Sequence, residues 1–215
     1  MGEENVTVNH PQGGSSVLPA GDSPIITKAV VEEFARRFLG KPAVVWISDS
    51  KNKRFSDDRF EKVLQIKLDV AKVLPDVILV DLAPPGRPGK LLIVFVEVVS
   101  SDGAITEQRR EELLTLVVAS PRGYKPEDAV FVTAYRDRQA PPVARAMHQL
   151  AWRSFAWFMS EPDHIVQLHG ADTVPKRWRV WSPDPGGRVF VHRDVTRVIQ
   201  AFQVYAGAPR NRPAR

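Results

Sequence analysis

The sequence predicts an α/β fold in which a mixed central sheet is flanked by helices, and three observations carry that expectation. Apolar, β-branched runs of strand length recur at about 43–49, 75–82, 90–99 and 128–134. Stretches of helical period fall between and around them, at about 27–39, 57–66, 104–119 and 141–149. The 104–119 helix is long enough to cross over the sheet and return the 128–134 strand parallel to the 90–99 strand, whereas 75–82 and 90–99 are joined too closely for anything but an antiparallel pair. With 215 residues and 43% hydrophobic content the chain buries one sizeable core, so one domain is expected.

The elements follow in order. Residues 1 to about 23 are polar, rich in Gly, Ser, Pro and Asn, and hold no lysine or arginine, so a disordered lead is expected there. In the helix from Thr27 to Leu39, Val30, Val31, Phe34, Ala35 and Phe38 share one face. Ser56 reads as the N-cap of the next helix, with Asp57 and Asp58 in its first turn where the helix dipole favours acids. The segment Ala83-Pro84-Pro85-Gly86-Arg87-Pro88-Gly89 stops the 75–82 strand and returns the chain as a hairpin. Ser100-Ser101-Asp102-Gly103 turns the 90–99 strand into the 104–119 helix, and the αβββαβ order closes with the 128–134 strand. Trp152, Phe155, Trp157 and Phe158 are expected to line the core, Phe155 and Trp157 from one face of a strand. The packed domain is expected over 24–206, followed by a basic tail, 207–215, too poor in apolar residues to pack.

Asp76 and Glu97 are the most informative side chains. Asp76 begins one strand of the hairpin and Glu97 ends the next, so residues 21 apart in sequence meet at one rim of the sheet. A carboxylate ending a buried apolar run is costly unless it is paired or binds a cation. Two hard oxygen ligands at one rim suit Mg²⁺, with waters and substrate phosphate filling its other positions, which is the chemistry of phosphodiester hydrolysis. The plainer alternative is that Asp76 caps a strand and Glu97 pairs with a nearby arginine.

The order of short motifs adds weight to the first reading. Glu33-Phe34-Ala35-Arg36-Arg37-Phe38, Val45-Trp46-Ile47-Ser48-Asp49-Ser50, Leu74-Pro75-Asp76-Val77 and Val96-Glu97-Val98-Val99-Ser100-Ser101-Asp102-Gly103 follow one another, then Arg109 with Glu112-Leu113-Leu114, Phe131-Val132-Thr133-Ala134, Ala151-Trp152 and Glu161-Pro162-Asp163-His164-Ile165. From about residue 25 to about 170 the chain thus resembles the catalytic domain of the BsuBI/PstI family of type II restriction endonucleases, in the PD-(D/E)xK nuclease superfamily. The resemblance implies a restriction-endonuclease-like core, hydrolysis of double-stranded DNA with Mg²⁺ at Asp76 and Glu97, a short palindromic target such as CTGCAG, and a homodimer to cut both strands.

The chain departs from that pattern in two ways. The superfamily lysine two residues after the acid is here Val99. Lys90 lies seven residues from Glu97, about 23 Å along an extended strand, and cannot replace it. Arg109, on the helix that follows, is the better candidate for orienting groups or stabilising charge, though arginine does not act as a base; its plainer role is a solvated helix charge beside Glu111 and Glu112. Lys53 is the second candidate, and Glu61 on the earlier helix is the candidate third carboxylate, while Asp49 is open and Asp81 reads as a turn residue. The resembled enzymes also carry a helical recognition domain ahead of the nuclease domain, where this sequence has a short polar lead. Base reading then falls to a separate specificity polypeptide or to the C-terminal region, or the chain is a DNA-binding module or fragment with an inactive nuclease fold.

The net charge of +5 is concentrated at one end. From Pro175 to Arg215 there are nine basic residues and two acids, with Trp178, Trp181, Phe190 and His192 interleaved. Lys176, Arg177, Arg179, Arg188 and Arg193 are therefore the candidate DNA-binding residues, against the alternative of a solvated face over core tryptophans. There is no cysteine, which excludes disulfides, thiolate zinc sites and a cysteine nucleophile. No apolar stretch approaches the length of a membrane span and no signal sequence opens the chain, so a cytoplasmic protein is expected. His164 and His169 match no closed zinc spacing. No Ser-His-Asp or Gly-x-Ser-x-Gly pattern supports a metal-free hydrolase.

Overall fold

Strands whose residues are apolar on both faces need cover on both sides, and that requirement organises the molecule. The computed structural model describes residues 4–49, 52–57, 62–66, 74–101 and 103–169, with the backbone alone at 49 and 52–54. Its elements are β1 (Val6–Asn9), β2 (Ser15–Leu18), α1 (Asp22–Ala29), continuing through a π-helical stretch at Val30–Phe34 into α2 (Ala35–Phe38), β3 (Pro42–Asp49), β4 (Asn52–Ser56), β5 (Val77–Asp81), β6 (Leu92–Val99), α3 (Glu107–Val118), β7 (Ala129–Tyr135), α4 (Pro141–Ala146), β8 (Phe155–Phe158) and β9 (Ile165–Gln167). Seven strands form one sheet in the order β4-β3-β5-β6-β7-β8-β9. β6, β7 and β8 run parallel and the remaining pairs antiparallel. The mixed sheet flanked by helices is the architecture the sequence predicted.

Every residue of β5 and β6 is buried. On one face Val77, Leu79, Val94, Val96 and Val98 pack under Ile26, Val30, Phe34 and Phe38 of the long helix. On the other, Ile78, Val80, Ile93 and Phe95 pack under Leu113 and Val117 of α3. A third cluster at the rim joins Val99, Tyr135, Ala156 and Phe158 to Val143 of α4.

Several expectations are corrected. The lead is not disordered over its described residues: β1 and β2 pair as an antiparallel hairpin. Composition misled because inward residues are few, yet Val8 and Leu18 are fully buried against the helix. Side chains bonded to backbone hold the rest. Gln12 exchanges hydrogen bonds with the Val44 backbone at 2.8 and 2.9 Å, and Asn9 donates to Glu32 from its amide and its side chain. Ser56 is no helix cap: it ends β4, and the Asp57 amide continues the pairing by donating to Val45 at 2.9 Å. The helix expected at 104–119 begins at Glu107, because Thr106 is extended and accepts from the Arg109 amide at 3.2 Å as its N-cap. Trp152 does not line the core; it is 61% exposed, while Phe155, Trp157 and Phe158 are buried. The edge strands β4 and β9 were not anticipated, since their five and three residues carry no apolar run.

Asp81 is fully buried and accepts from the amides of Gly40, Lys41 and Ala83 at 2.8, 2.8 and 3.0 Å, so its role is to fasten two turns. The approach is close: a Cβ on Gly40 would lie 2.3 Å from the Ala83 carbonyl oxygen. Asp81→Ala leaves these amides without their acceptor and is expected to cost about 3 kcal/mol, read as a lower urea midpoint with unchanged m-value.

Candidate active site

The β5–β6 ladder pairs Val77 with Val96, and one further step sets Asp76 opposite Glu97. Both project to the face that carries Ile78 and Phe95, the face covered by α3. The row continues sideways. Glu97 pairs with Thr133 on β7, the Ser48 amide on β3 donates to the Asp76 carbonyl at 2.9 Å, and Lys53 on β4 pairs with Ser48. Lys53, Ser48, Asp76, Glu97 and Thr133 therefore stand side by side across five strands. A bulge in β3 at Val45, and one in β4 at Arg54 opposite Ile47 and Ser48, put this row in phase, as bulges beside sites often do.

The two acids meet as the sequence predicted. The two carboxyls lie close enough for each to act on the other's charge, and the Val98 amide donates to Asp76 Oδ2 at 2.8 Å. Burial favours the protonated form of each acid. Burial raises the Asp76 pKa against the Val98 hydrogen bond, its bond to Glu97 and the Arg109 charge. Burial and then the Asp76 charge push Glu97 up to about 7, with Arg109 opposing.

Arg109 is placed in the first turn of α3. Its Nε donates to Glu97 Oε1 at 2.7 Å, its side chain is only 13% exposed, and Glu112 lies farther off at 3.8 Å. It is thus a partner of the acids and not a solvated helix charge. Thr106 sets its position through the cap, a signal readable in the sequence as a Thr three residues ahead of Arg109. Ser48, whose hydroxyl donates to the Pro75 carbonyl at 3.3 Å and so steadies the approach to Asp76, was missed; a lone serine at a strand end carries no signal.

The other candidates separate clearly. Val99 is buried in the rim cluster beside Tyr135, on the same face as Glu97, so no basic group occupies the superfamily's lysine position. Lys53 is placed by backbone register alone. Glu61, Asp58, and Lys176, Arg177, Arg179, Arg188 and Arg193 lie outside the described residues. His164 has a 73% exposed side chain near Glu161, and no group of three or more His, Cys, Asp and Glu able to hold a metal occurs among the described residues.

A family model described as the BsuBI/PstI restriction endonuclease domain matches residues 6–171. The chain belongs to the BsuBI/PstI restriction endonuclease family. The match begins at β1, so the N-terminal hairpin is part of the domain. The chain is 25% identical over 169 residues to the type II restriction enzyme BsuBI of Bacillus subtilis, covering 78% of this chain and 49% of that protein. To the type II restriction enzyme AplI of Arthrospira platensis it is 25% identical over 176 residues, covering 77% and 49%. Among solved structures, SdaI restriction endonuclease superposes with a TM-score of 0.64 at 29% identity, over 83% of this chain and 50% of that one. The chain spans about half the length of the curated relatives it matches. No helix among the described residues is long and apolar enough to cross a membrane.

Proposed function

We propose that the chain is a Mg²⁺-dependent endonuclease that hydrolyses phosphodiester bonds of double-stranded DNA in the manner of a type II restriction enzyme. The observation that carries this reading is the meeting of half-buried Asp76 and buried Glu97 in one row of a BsuBI/PstI-type sheet, with the Arg109 guanidinium on Glu97. Carboxylate oxygens without imidazole or thiolate are the donor set Mg²⁺ takes, and two such groups leave room for water and phosphate around the ion. When bound, the cation neutralises phosphate charge and makes a coordinated water more acidic.

The protein's own groups do the rest. The Val98 amide fixes one Asp76 oxygen, and Arg109 fixes one Glu97 oxygen, so both carboxylates face the scissile phosphate in set orientations. Arg109, always charged, offsets the density of negative charge but takes no proton. The ammonium for orienting the attacking water comes from Lys53, whose Cα stands two strands, about 10 Å, from Asp76 in the same row. The basic residues Lys176, Arg177, Arg179, Arg188 and Arg193 supply phosphate contacts. We extend the proposal to a homodimer cutting a palindrome such as CTGCAG, a reading the family relationship supports.

The reading is tested by incubating unmethylated plasmid with Mg²⁺ or EDTA. Discrete bands in Mg²⁺ alone indicate a site-specific enzyme, and a smear indicates that a companion polypeptide supplies base recognition. Salt-sensitive binding without any cutting favours the second reading, a DNA-binding module with an inactive fold, for which Val99 is the observation. Arg109→Lys keeps the charge and loses the Nε bond to Glu97; turnover is expected to fall about 10–100-fold with KM for DNA little changed. Lys53→Met is expected to lower turnover by about 10²-fold or more, and an unchanged rate removes Lys53 from the site.

A further inference from the structure

An exposed tryptophan beside the catalytic row is the feature that nothing above explains. Trp152 is the most exposed of the large hydrophobic side chains among the described residues, at 61%. Its backbone is nevertheless firmly held. The Ala151 amide donates to Ile105 at 2.8 Å, the Trp152 amide to Glu107 Oε2 at 3.1 Å, the Arg153 amide to Leu168 at 2.6 Å, and the Ser154 hydroxyl to Ala151 at 2.6 Å. Arg153 takes φ 63°, the left-handed region that a bulky side chain rarely adopts. This braced turn holds an indole in solvent at a fixed place, with left-handed backbone in the next residue.

The position of the turn bears on the role of that indole. Ile105 and Glu107 flank the cap of α3, the same turn from which Arg109 reaches Glu97. Ala151 packs in the core cluster on the face that carries Asp76 and Glu97. Glu107 is neutralised by Arg110 at 2.9 Å, so the acid beneath the turn does not repel an anion. A duplex whose phosphate sits at Asp76 and Glu97 must continue over this flank. We propose that Trp152 is a DNA-contacting residue that packs its indole on sugar and base edges of double-stranded DNA beside the scissile phosphate. This rests on the nuclease reading above and assigns part of its substrate surface. A rigid aromatic loses little conformational freedom on contact and needs no particular base, so it contributes affinity and placement.

The test is binding of a labelled plasmid-derived duplex in Ca²⁺, followed by anisotropy, with cleavage in Mg²⁺ measured in parallel on wild type, Trp152→Ala and Trp152→Phe. Trp152→Ala is expected to weaken binding about tenfold and raise KM more than it lowers kcat. Its thermal midpoint should stay at the wild-type value, and the slope of log K against log salt should not change, since no phosphate contact is lost. Trp152→Phe, which keeps a flat ring, should recover most of the affinity. Wild-type affinity in Trp152→Ala, while wild type cuts, overturns this proposal and leaves the nuclease reading standing. A lowered midpoint in both variants with unchanged affinity shows that the indole packs against the protein itself and also overturns it. Failure of the wild type to bind or cut duplex DNA overturns both readings.

Discussion

Asp76→Ala is expected to lower DNA cleavage by at least about 10³-fold while leaving the fold intact, because Asp76 stands at the end of β5 and its carboxyl fastens only the Val98 amide and Glu97. The same substitution should raise the Mg²⁺ concentration needed for half-maximal rate of whatever activity remains, since one of two hard oxygen ligands is gone. Titration of Mg²⁺ against plasmid cleavage checks both. A residual rate within tenfold of wild type at saturating Mg²⁺ removes Asp76 from the site, and with it the row on which the proposed function depends. Asp81, equally acidic and more deeply buried, is the contrast: Asp81→Ala should lose stability, and at a temperature where it remains folded it should keep its turnover, because Asp81 lies at the far end of the same strand.

The second large effect concerns stability against pH in the absence of metal. Glu97 is raised from 4.5 to about 7, first by burial and then by the Asp76 charge, and Asp76 is raised by burial. For an acid whose folded pKa lies above its unfolded value, the stabilising contribution is complete below the unfolded pKa and disappears as pH rises through the folded one. In EDTA the thermal midpoint is therefore expected to fall between about pH 4.5 and 7, with the Glu97 shift corresponding to about 3 kcal/mol. Glu97→Gln, neutral at every pH and close in shape, should flatten that fall and raise the midpoint at pH 8 while abolishing cleavage. Mg²⁺ should restore the wild type at pH 8 and leave Glu97→Gln nearly unmoved. A wild-type midpoint independent of pH across this range shows that Glu97 is not held above its ordinary range in the folded protein.

Stability and catalysis thus pull against each other at one point. The two acids lie in a sheet whose interior is otherwise Val, Ile, Leu and Phe, where an uncompensated charge is costly. Arg109 offsets part of that cost by donating to Glu97 Oε1 at 2.7 Å. A cap, a guanidinium and a backbone amide together hold the two acids close.

Much of this was legible in the chain itself. Continuous apolar, β-branched runs over 75–82 and 90–99 identified the strands to within two residues, and the Pro/Gly loop between them set the antiparallel pairing. From these alone Asp76 and Glu97 were brought together across 21 residues, because a hairpin with known strands has little freedom of register. The missing lysine at Val99 was equally plain. These features are local: each is set by side-chain period, turn chemistry and spacing within one stretch of chain.

What only the tertiary structure decided is contact between stretches that carry no signal for each other. The N-terminal hairpin looks like a solvated lead until Val8 and Leu18 are seen against the helix and Gln12 against Val44. Arg109 looks like one helical charge among several until the Thr106 cap sets its direction toward Glu97. Lys53 joins the row only through the bulge of β4, and Trp152 reads as core from its aromatic neighbours in sequence yet is 61% exposed. Burial, ion-pair choice and exposure depend on what the fold lays across a residue, and that is a property of the whole packed chain that no window of sequence contains.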